Sequence, residues 1–234
     1  MTKNNKPKND RVSPEVTSEF SPWLTPLTYF LSCCILVPFY FKIEIKGQKN
    51  IHIPGTDAII LAPTHRSRWD PLIIAYAAGL FVTKRKLRYM VSEEQTLGFQ
   101  GWFIRRLGGF PIDRDHPGIS SIRHSVQLLK NQEMLVVFPE GRIYPEENKI
   151  YPIQSGVARI ALQALSSKKE INLKIVPISI LYNHPAPPPW RCGVKINIGS
   201  PLEVKDYLDY STKQAAKILT DDLELSMTEL HKKH

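Results

Sequence analysis

The sequence has little cysteine and no cysteine framework. Its 234 residues include three cysteines, Cys33, Cys34 and Cys192. Two of them are adjacent, a spacing that rarely permits an unstrained disulfide bridge. No CxxC pair and no cluster of cysteine with histidine has the spacing of a metal site. The pattern predicts a protein of a reducing compartment that carries no metal.

The sequence shows no internal repeats and no dividing linker, and we expect no cleaved signal peptide. The long uncharged stretch starts late, has no small-residue cleavage site after it, and is followed at once by a strand-like segment. A chain of 234 residues suits one domain with a substantial core. We therefore expect a single catalytic or binding domain behind an N-terminal extension.

Acidic residues are in the minority. The chain has 22 Asp and Glu against 31 Lys and Arg, a formal charge of +9. Such a balance suits nucleic acid, anionic lipid headgroups or small anionic substrates, and charge alone does not choose among them. The basic cluster 84–88 comes without a nucleic-acid recognition motif, so we interpret it as a solvated or headgroup-facing patch. We expect no nucleic-acid partner.

The N-terminal fifth divides into a polar and an apolar part. Residues 1–19 are polar and lysine-rich, which predicts a disordered tail. Residues 20–41 carry no charge and approach the roughly 20 residues that span a bilayer, but three prolines interrupt them. An interfacial anchor, a single spanning helix and a buried core helix are the three interpretations of this stretch. We favour a membrane-associating segment, with the catalytic domain facing the cytoplasm.

Beyond this segment, apolar runs of strand length alternate with amphipathic helices. The predicted strands are 41–46, 58–62, 87–91, 134–138, 173–180 and 194–198, and the predicted helices are 71–78, 119–129, 157–165 and 215–230. Strands separated by helices predict an α/β domain over residues 42–234, with a mostly parallel mixed sheet flanked by helices. Pro177 inside a predicted strand indicates an edge strand or a bulge.

The first candidate site is the segment 64–71, Thr-His-Arg-Ser-Arg-Trp-Asp-Pro, between a buried strand and a helix. Ligands of α/β proteins bind at the carboxyl ends of strands. His65 suits a general base, and Asp70 suits the group that orients its ring, a pairing known from hydrolytic triads. Asp70 before Pro71 also has the pattern of a helix N-cap, so the pair alone does not prove catalysis.

Two further segments carry charge beside glycine. In Leu107–Asp115, two glycines permit a close backbone approach and Arg114 suits a phosphate ligand. In Phe138–Arg142, Gly141 offers its amide to an anion, Arg142 adds a cation, and Glu140 suits either an acceptor hydroxyl or an arginine. Each segment read alone is equally typical of a surface turn.

Taken in order, these blocks and Val176-Pro-Ile178 resemble the glycerolipid acyltransferase family, which includes bacterial 1-acyl-glycerol-3-phosphate acyltransferases. The family pattern is Asn-His-x4-Asp, Gly-x2-Phe-Ile-x-Arg, Phe-Pro-Glu-Gly-Thr-Arg and Val-Pro-Val. The resemblance covers about residues 40 to 200, and the Phe-Pro-Glu-Gly block is its most specific part.

The resemblance implies roles for individual residues. His65 corresponds to the catalytic base and Asp70 to its partner, and the acceptor-binding residues correspond to Arg114, Glu140, Gly141 and Arg142. It also implies a lysophospholipid acceptor, an acyl-CoA or acyl-carrier protein donor, a membrane surface as partner, and no cofactor. Thr64 replaces the usual Asn, Pro111 enters the second block, and the third block lacks its Thr. These departures spare the His–Asp pair and leave the acceptor open.

Overall fold

The computed structural model of the chain describes residue 16 and residues 18–52, 55–113, 118–145 and 149–232. Most of the predicted disordered tail falls outside these ranges. Among the predicted site residues, Arg114 falls outside them as well.

The strands within these ranges form one sheet of eight, in the order β1-β7-β6-β2-β5-β3-β4, with β8 paired to β6. Their bounds are β1 Phe41–Lys46, β2 Ala58–Pro63, β3 Leu87–Ser92, β4 Gly109–Ile112, β5 Met134–Val136, β6 Leu173–Tyr182, β7 Cys192–Ile198 and β8 Leu202–Glu203. Only β7 and β8 run antiparallel to β6, and the other pairs are parallel. The predicted mixed, mostly parallel sheet is therefore confirmed.

Helices cover both faces of this sheet. They are α1 Leu24–Phe30, α2 Val37–Tyr40, α3 Asp70–Ala78, α4 Leu80–Thr83, α5 Gly98–Arg106, α6 Ile119–Lys130, α7 Gly156–Ser167 and α8 Thr212–Lys232. A π-helical stretch, Leu31–Leu36, joins α1 to α2, so residues 24–40 form one continuous helical segment. The four predicted helices correspond to α3, α6, α7 and α8.

Strand β2 shows how the sheet separates two apolar cores. Ile60 and its neighbours Ala58 and Ala62 face a core shared with α6, α7 and α8. Ile59 and Leu61 face the opposite core, shared with α2 and α3. Side chains of a strand alternate between faces, so a central strand covered on both sides reads as an unbroken apolar run.

Pro177 lies in the interior of the sheet, so the expectation of an edge strand was wrong. Strand β6 pairs with β2 along one side, and Pro177 lies opposite Ala62. On the other side, β6 pairs with β8 at Lys174 and Ile175, and its pairing with β7 begins at Ile178. The proline occupies the gap between these two partners, where a missing N–H breaks no antiparallel ladder.

The segment 24–40 packs one side on the domain. Tyr29 and Cys33 pack on α3, and the Tyr29 hydroxyl accepts the Leu87 amide at 3.0 Å. Burial raises the pKa of Tyr29 to about 12, so its hydroxyl remains protonated. No helix within the described ranges combines the length and the apolar character needed to cross a bilayer.

Candidate active site

The site lies where three adjacent parallel strands end. Strands β5, β2 and β6 run in the same direction, and β2 lies between the other two. His65 follows β2, Phe138 follows β5, and Tyr182 is the last residue of β6. The parallel direction thus brings side chains from distant parts of the sequence to one edge, as in other open α/β sheets.

His65 and Asp70 form a direct hydrogen bond. The His65 Nδ1 atom lies 2.8 Å from Asp70 Oδ2, and Asp70 has no exposed surface. An ionised carboxylate can only accept hydrogen bonds, so Asp70 requires the ring proton of His65 on Nδ1. The Nε2 atom of His65 is then the unprotonated nitrogen that can act as a base. The His65 side chain is 17% exposed, and its ring stacks on Phe138 at a centroid distance of 4.0 Å.

Asp70 does not act as a helix cap. Helix α3 begins at Asp70 itself, and no side chain caps it. The Asp70 Oδ2 atom accepts the amides of Arg66 and Ser67, at 2.6 and 2.8 Å, and both residues precede the helix. The carboxylate therefore fixes the loop that carries His65 rather than the first turn of α3.

Thr64, which stands where Asn is usual in the family pattern, ties this loop to β6. Its hydroxyl accepts the Ile180 amide at 2.9 Å and contacts the Ile180 carbonyl at 3.3 Å. The side chain is fully buried. The backbone of Ile180 is thus the partner of the residue before His65, and the short hydroxyl side chain of Thr64 is sufficient to bind it.

Glu140 is directed into the protein. Its carboxylate accepts the His65 amide at 2.8 Å, the Tyr151 amide at 3.1 Å, and the Arg66 guanidinium at 2.7 and 3.0 Å. The side chain has no exposed surface. Of the two roles that the sequence suggested for Glu140, contact with an arginine is the one observed, because its carboxylate is bound to Arg66 and to backbone amides.

Gly141 and Arg142 occupy the turn after β5. Gly141 has a φ of +73°, a left-handed conformation that favours glycine, and its amide donates to the Phe138 carbonyl at 3.0 Å. That amide was predicted to bind an anion, but the turn itself engages it. Arg142 is exposed close to the His65 loop, since the Tyr144 amide donates to the His65 carbonyl at 2.8 Å.

Sequence reasoning missed Arg66 and Tyr182. Arg66 is 1% exposed and forms a buried ion pair with Glu140, while its Nη2 donates to the Lys149 carbonyl at 3.1 Å. Tyr182 donates its hydroxyl to Asp70 Oδ1 at 2.7 Å. Its place at the carboxyl end of a strand could have indicated Tyr182, but nothing in the sequence distinguishes a buried arginine from an exposed one.

The geometry limits the class of protein. A carboxylate orients an imidazole whose side chain is 17% exposed, and the hydrogen bonds of the described residues place no serine or cysteine nucleophile against its second nitrogen. Such a pair can take a proton from a substrate hydroxyl or from water. The arrangement therefore suits a transferase or a hydrolase that works without a protein nucleophile. Among the described residues, no group of acidic, histidine and cysteine side chains could hold a metal.

Comparison with known proteins identifies the family. Residues 42–181 match the model of the Acyltransferase family. That range contains the His65–Asp70 pair and the segment 138–142, and the chain belongs to this family.

Its relatives include bacterial lipid enzymes. The chain is 31% identical over 175 residues to a 1-acyl-sn-glycerol-3-phosphate acyltransferase of Streptococcus pneumoniae, covering 70% of this chain and 59% of the relative. It is 27% identical over 194 residues to the Bacillus subtilis protein of that name, covering 81% and 89%. The crystal structure of a Thermotoga maritima 1-acyl-sn-glycerophosphate acyltransferase has the same fold, with a TM-score of 0.60, 18% identity, and 88% and 78% coverage.

Proposed function

We propose that this acyltransferase transfers a fatty acyl group from a thioester donor to the free hydroxyl of 1-acyl-glycerol 3-phosphate, a step of phospholipid synthesis. The names of the two bacterial relatives support this acceptor. The observation that carries the reaction is the 2.8 Å bond between His65 and the buried Asp70. The donor is acyl-CoA or acyl-carrier protein.

In the proposed reaction, His65 Nε2 takes the proton of the acceptor hydroxyl as that oxygen attacks the thioester carbonyl. Asp70 stabilises the imidazolium that forms. An ester bond forms, the carbon–sulfur bond breaks, and the departing thiolate takes the proton from His65. The proton thus passes from the acceptor hydroxyl to the product thiol, so the protein ends unchanged and no cofactor takes part.

Two carboxylates have separate tasks in this proposal. Asp70 orients the ring of His65, and Glu140 holds its backbone amide. We infer that Glu140 positions His65 instead of touching the acceptor. The acceptor phosphate is assigned to Arg114 and Arg142, the predicted cations of the second and third blocks.

We further propose that the protein acts at a membrane surface, with the catalytic domain on the cytoplasmic side. The outward face of residues 24–40 exposes large apolar side chains, among them Ile35 at 51% and Phe39 at 64%. The full set is Leu27, Phe30, Leu31, Ile35, Leu36 and Phe39. A helix buried on one side and apolar on the other suits the headgroup–acyl boundary. Free cysteines agree with a reducing compartment.

A second exposed surface, on helix α5, also supports contact with a membrane. Phe99 of α5 is 83% exposed, and its ring stacks on Trp102 at a centroid distance of 5.9 Å. The Arg106 guanidinium lies 4.6 Å from the centre of the Trp102 ring. The Ser21 amide donates to the Arg106 carbonyl at 2.9 Å, so this surface adjoins the start of residues 24–40. Aromatic and basic residues together favour anionic lipid interfaces.

The test is an acceptor and donor panel with purified protein. Labelled oleoyl-CoA and palmitoyl-acyl-carrier protein are each offered with 1-acyl-glycerol 3-phosphate, glycerol 3-phosphate and a lysophospholipid with a larger headgroup. We expect the highest kcat/KM with 1-acyl-glycerol 3-phosphate. In the same assay, Arg114→Ala should raise KM for phosphate-bearing acceptors, since it removes ground-state binding.

The matched variants are His65→Ala and His52→Ala. His52 is exposed and contacts the Gln48 carbonyl in a distant turn, so its loss should leave turnover unchanged. His65→Ala should reduce turnover at least 100-fold while the protein stays folded. Retained turnover in His65→Ala would refute the mechanism. Absence of turnover with every pair would favour a lipid-binding protein without catalysis.

A further inference from the structure

Tyr182 connects strand β6 to the carboxylate of Asp70. It ends β6, beyond the residues matched by the family model, and it is 3% exposed. Its hydroxyl donates to Asp70 Oδ1 at 2.7 Å. The ring packs edge-on against Phe41 at a centroid distance of 6.1 Å. Strand pairing and this ring contact hold the hydroxyl in place.

The Asp70 carboxylate has two differently used oxygens. The Oδ2 atom accepts hydrogen bonds from the His65 ring and from the backbone amides of Arg66 and Ser67, which all belong to the loop 64–70. The Oδ1 atom accepts Tyr182, which comes from another strand. The bond to Oδ1 therefore fixes the rotation of the carboxylate, and with it the direction in which Oδ2 faces the imidazole.

We propose that Tyr182 is a positioning residue of the acyl transfer, which orients Asp70 through Oδ1 and moderates the negative charge that Asp70 presents to His65. The proposal rests on the assignment of His65 as the base. Burial, and after it the Asp70 charge, raise the pKa of Tyr182 far above its usual value. The phenol therefore remains a hydrogen-bond donor throughout the working pH range.

The physical effect has a definite sign. A hydrogen bond to a carboxylate draws charge away from it, so Asp70 stabilises the imidazolium form of His65 less than an unbonded carboxylate would. Loss of the hydroxyl should move the acid limb of the kcat/KM profile to higher pH.

Among the described residues, several other charged and polar groups lie near His65 and Tyr182. Arg66 and Glu140 flank the backbone of His65 and neutralise each other. Beside Tyr182, the Cys192 thiol contacts Asn183 at 3.1 Å. A groove of about 210 Å³ that also touches Tyr182 is lined by Lys42, Glu44 and Lys195. These groups remain unchanged in the variants below.

The experiment measures the pH dependence of kcat/KM with oleoyl-CoA and 1-acyl-glycerol 3-phosphate in the unaltered protein, two variants at position 182 and one control variant. Tyr182→Phe should move the acid limb up by roughly half to one pH unit and reduce the plateau about tenfold. Tyr182 replaced by 3-fluorotyrosine, a stronger donor of nearly the same shape, should move the limb down. Opposite shifts from two near-isosteric changes are not expected from a packing role.

Tyr89→Phe is the matched control. Its hydroxyl donates to the Pro71 carbonyl at 2.9 Å, so the change removes a similar bond next to Asp70 without touching the carboxylate. Its acid limb should stay in place. If Tyr182→Phe does not fold, the fluorotyrosine variant still decides the question.

An unmoved acid limb in the 3-fluorotyrosine variant, or a shift upward, would overturn the proposal. Failure of the underlying mechanism looks different, because it would appear as retained turnover in His65→Ala. Turnover that depends on His65 combined with a limb insensitive to residue 182 would therefore reject the Tyr182 role alone.

Discussion

The loop 64–70 and the helical segment 24–40 use burial in opposite ways. The loop buries charge, since Arg66 and Asp70 are at most 1% exposed, yet both Asp70 oxygens and both terminal nitrogens of Arg66 have hydrogen-bond partners. The helical segment exposes apolar surface, with Phe39 64% exposed. A buried charge is tolerated when it is hydrogen-bonded, and a large exposed apolar face marks a surface with another occupant.

The two regions should respond differently to substitution. The loop depends on each of its hydrogen bonds, because the loss of a donor leaves a buried acceptor without a hydrogen bond. The helix face requires only sufficient apolar area. Single substitutions should therefore have large effects on turnover in the loop and graded effects on membrane binding in the helix.

The largest effect is expected from Asp70→Asn. Asparagine keeps the shape but lacks the charge that holds the proton on Nδ1 and stabilises the imidazolium. We expect a loss of about 10³- to 10⁴-fold in kcat, the order seen when an orienting carboxylate is neutralised. The measurement is steady-state turnover with oleoyl-CoA.

Asp57→Asn is the control for this change. Asp57 is also buried and contacts Asn172 and Lys174 at the start of β2. It should retain turnover within a few-fold. Equal losses in the two variants would mean that buried carboxylates act through stability alone.

The next effect concerns the buried pair Arg66 and Glu140. Glu140→Leu leaves the guanidinium without its partner, which costs about 3–5 kcal/mol in the free energy of unfolding. The double change Arg66→Met with Glu140→Leu removes both charges and should recover much of that loss. Denaturant unfolding measures both values.

Activity separates the two roles of this pair. The double variant should remain poor in turnover although its stability recovers, because the His65 amide has lost its acceptor. Recovery of turnover together with stability would show that Glu140 holds the fold and not the base.

The smallest effect is expected on the helix face. Ile35→Ser on the exposed side should lower binding to vesicles of mixed phosphatidylcholine and phosphatidylglycerol about tenfold, and change stability by less than about 0.5 kcal/mol. Val37→Ser, two residues away and fully buried, should instead cost about 2–4 kcal/mol of stability. Flotation and thermal unfolding separate the two. A loss of stability in Ile35→Ser without loss of vesicle binding would assign this face to the protein core.

Much of the sheet was predictable because its strands are buried on both faces. The runs 58–62 and 134–138 carry five consecutive apolar residues each, and such runs have few alternatives in a protein of this size. Helix α5 and strand β4 were missed. Their sequence is short, interrupted by Gly101, Gly108 and Pro111, and held in place by contacts with residues 19–21 that no local pattern reveals.

The His65–Asp70 pair was predicted from six residues of sequence, from their place after a strand, and from the order of the other blocks. The partners of that pair were beyond prediction. Arg66, Glu140 and Tyr182 lie up to 116 positions apart, and their contacts follow from the order of β5, β2 and β6. The resemblance assigned Glu140 to the acceptor, and local sequence alone left an acceptor hydroxyl and an arginine as equal alternatives.

By itself, the sequence predicted the alternation of strands and helices, because that depends on local periodicity. The reaction class and His65 as the base were predicted from the resemblance of the ordered blocks to a known family. Only the tertiary structure decided that Asp70 organises a loop instead of capping a helix and that Glu140 points inward. It also decided that Tyr182 of β6 donates a hydrogen bond to the second oxygen of Asp70. Hydrogen bonds between distant segments depend on strand order, and strand order is fixed by packing across the whole domain.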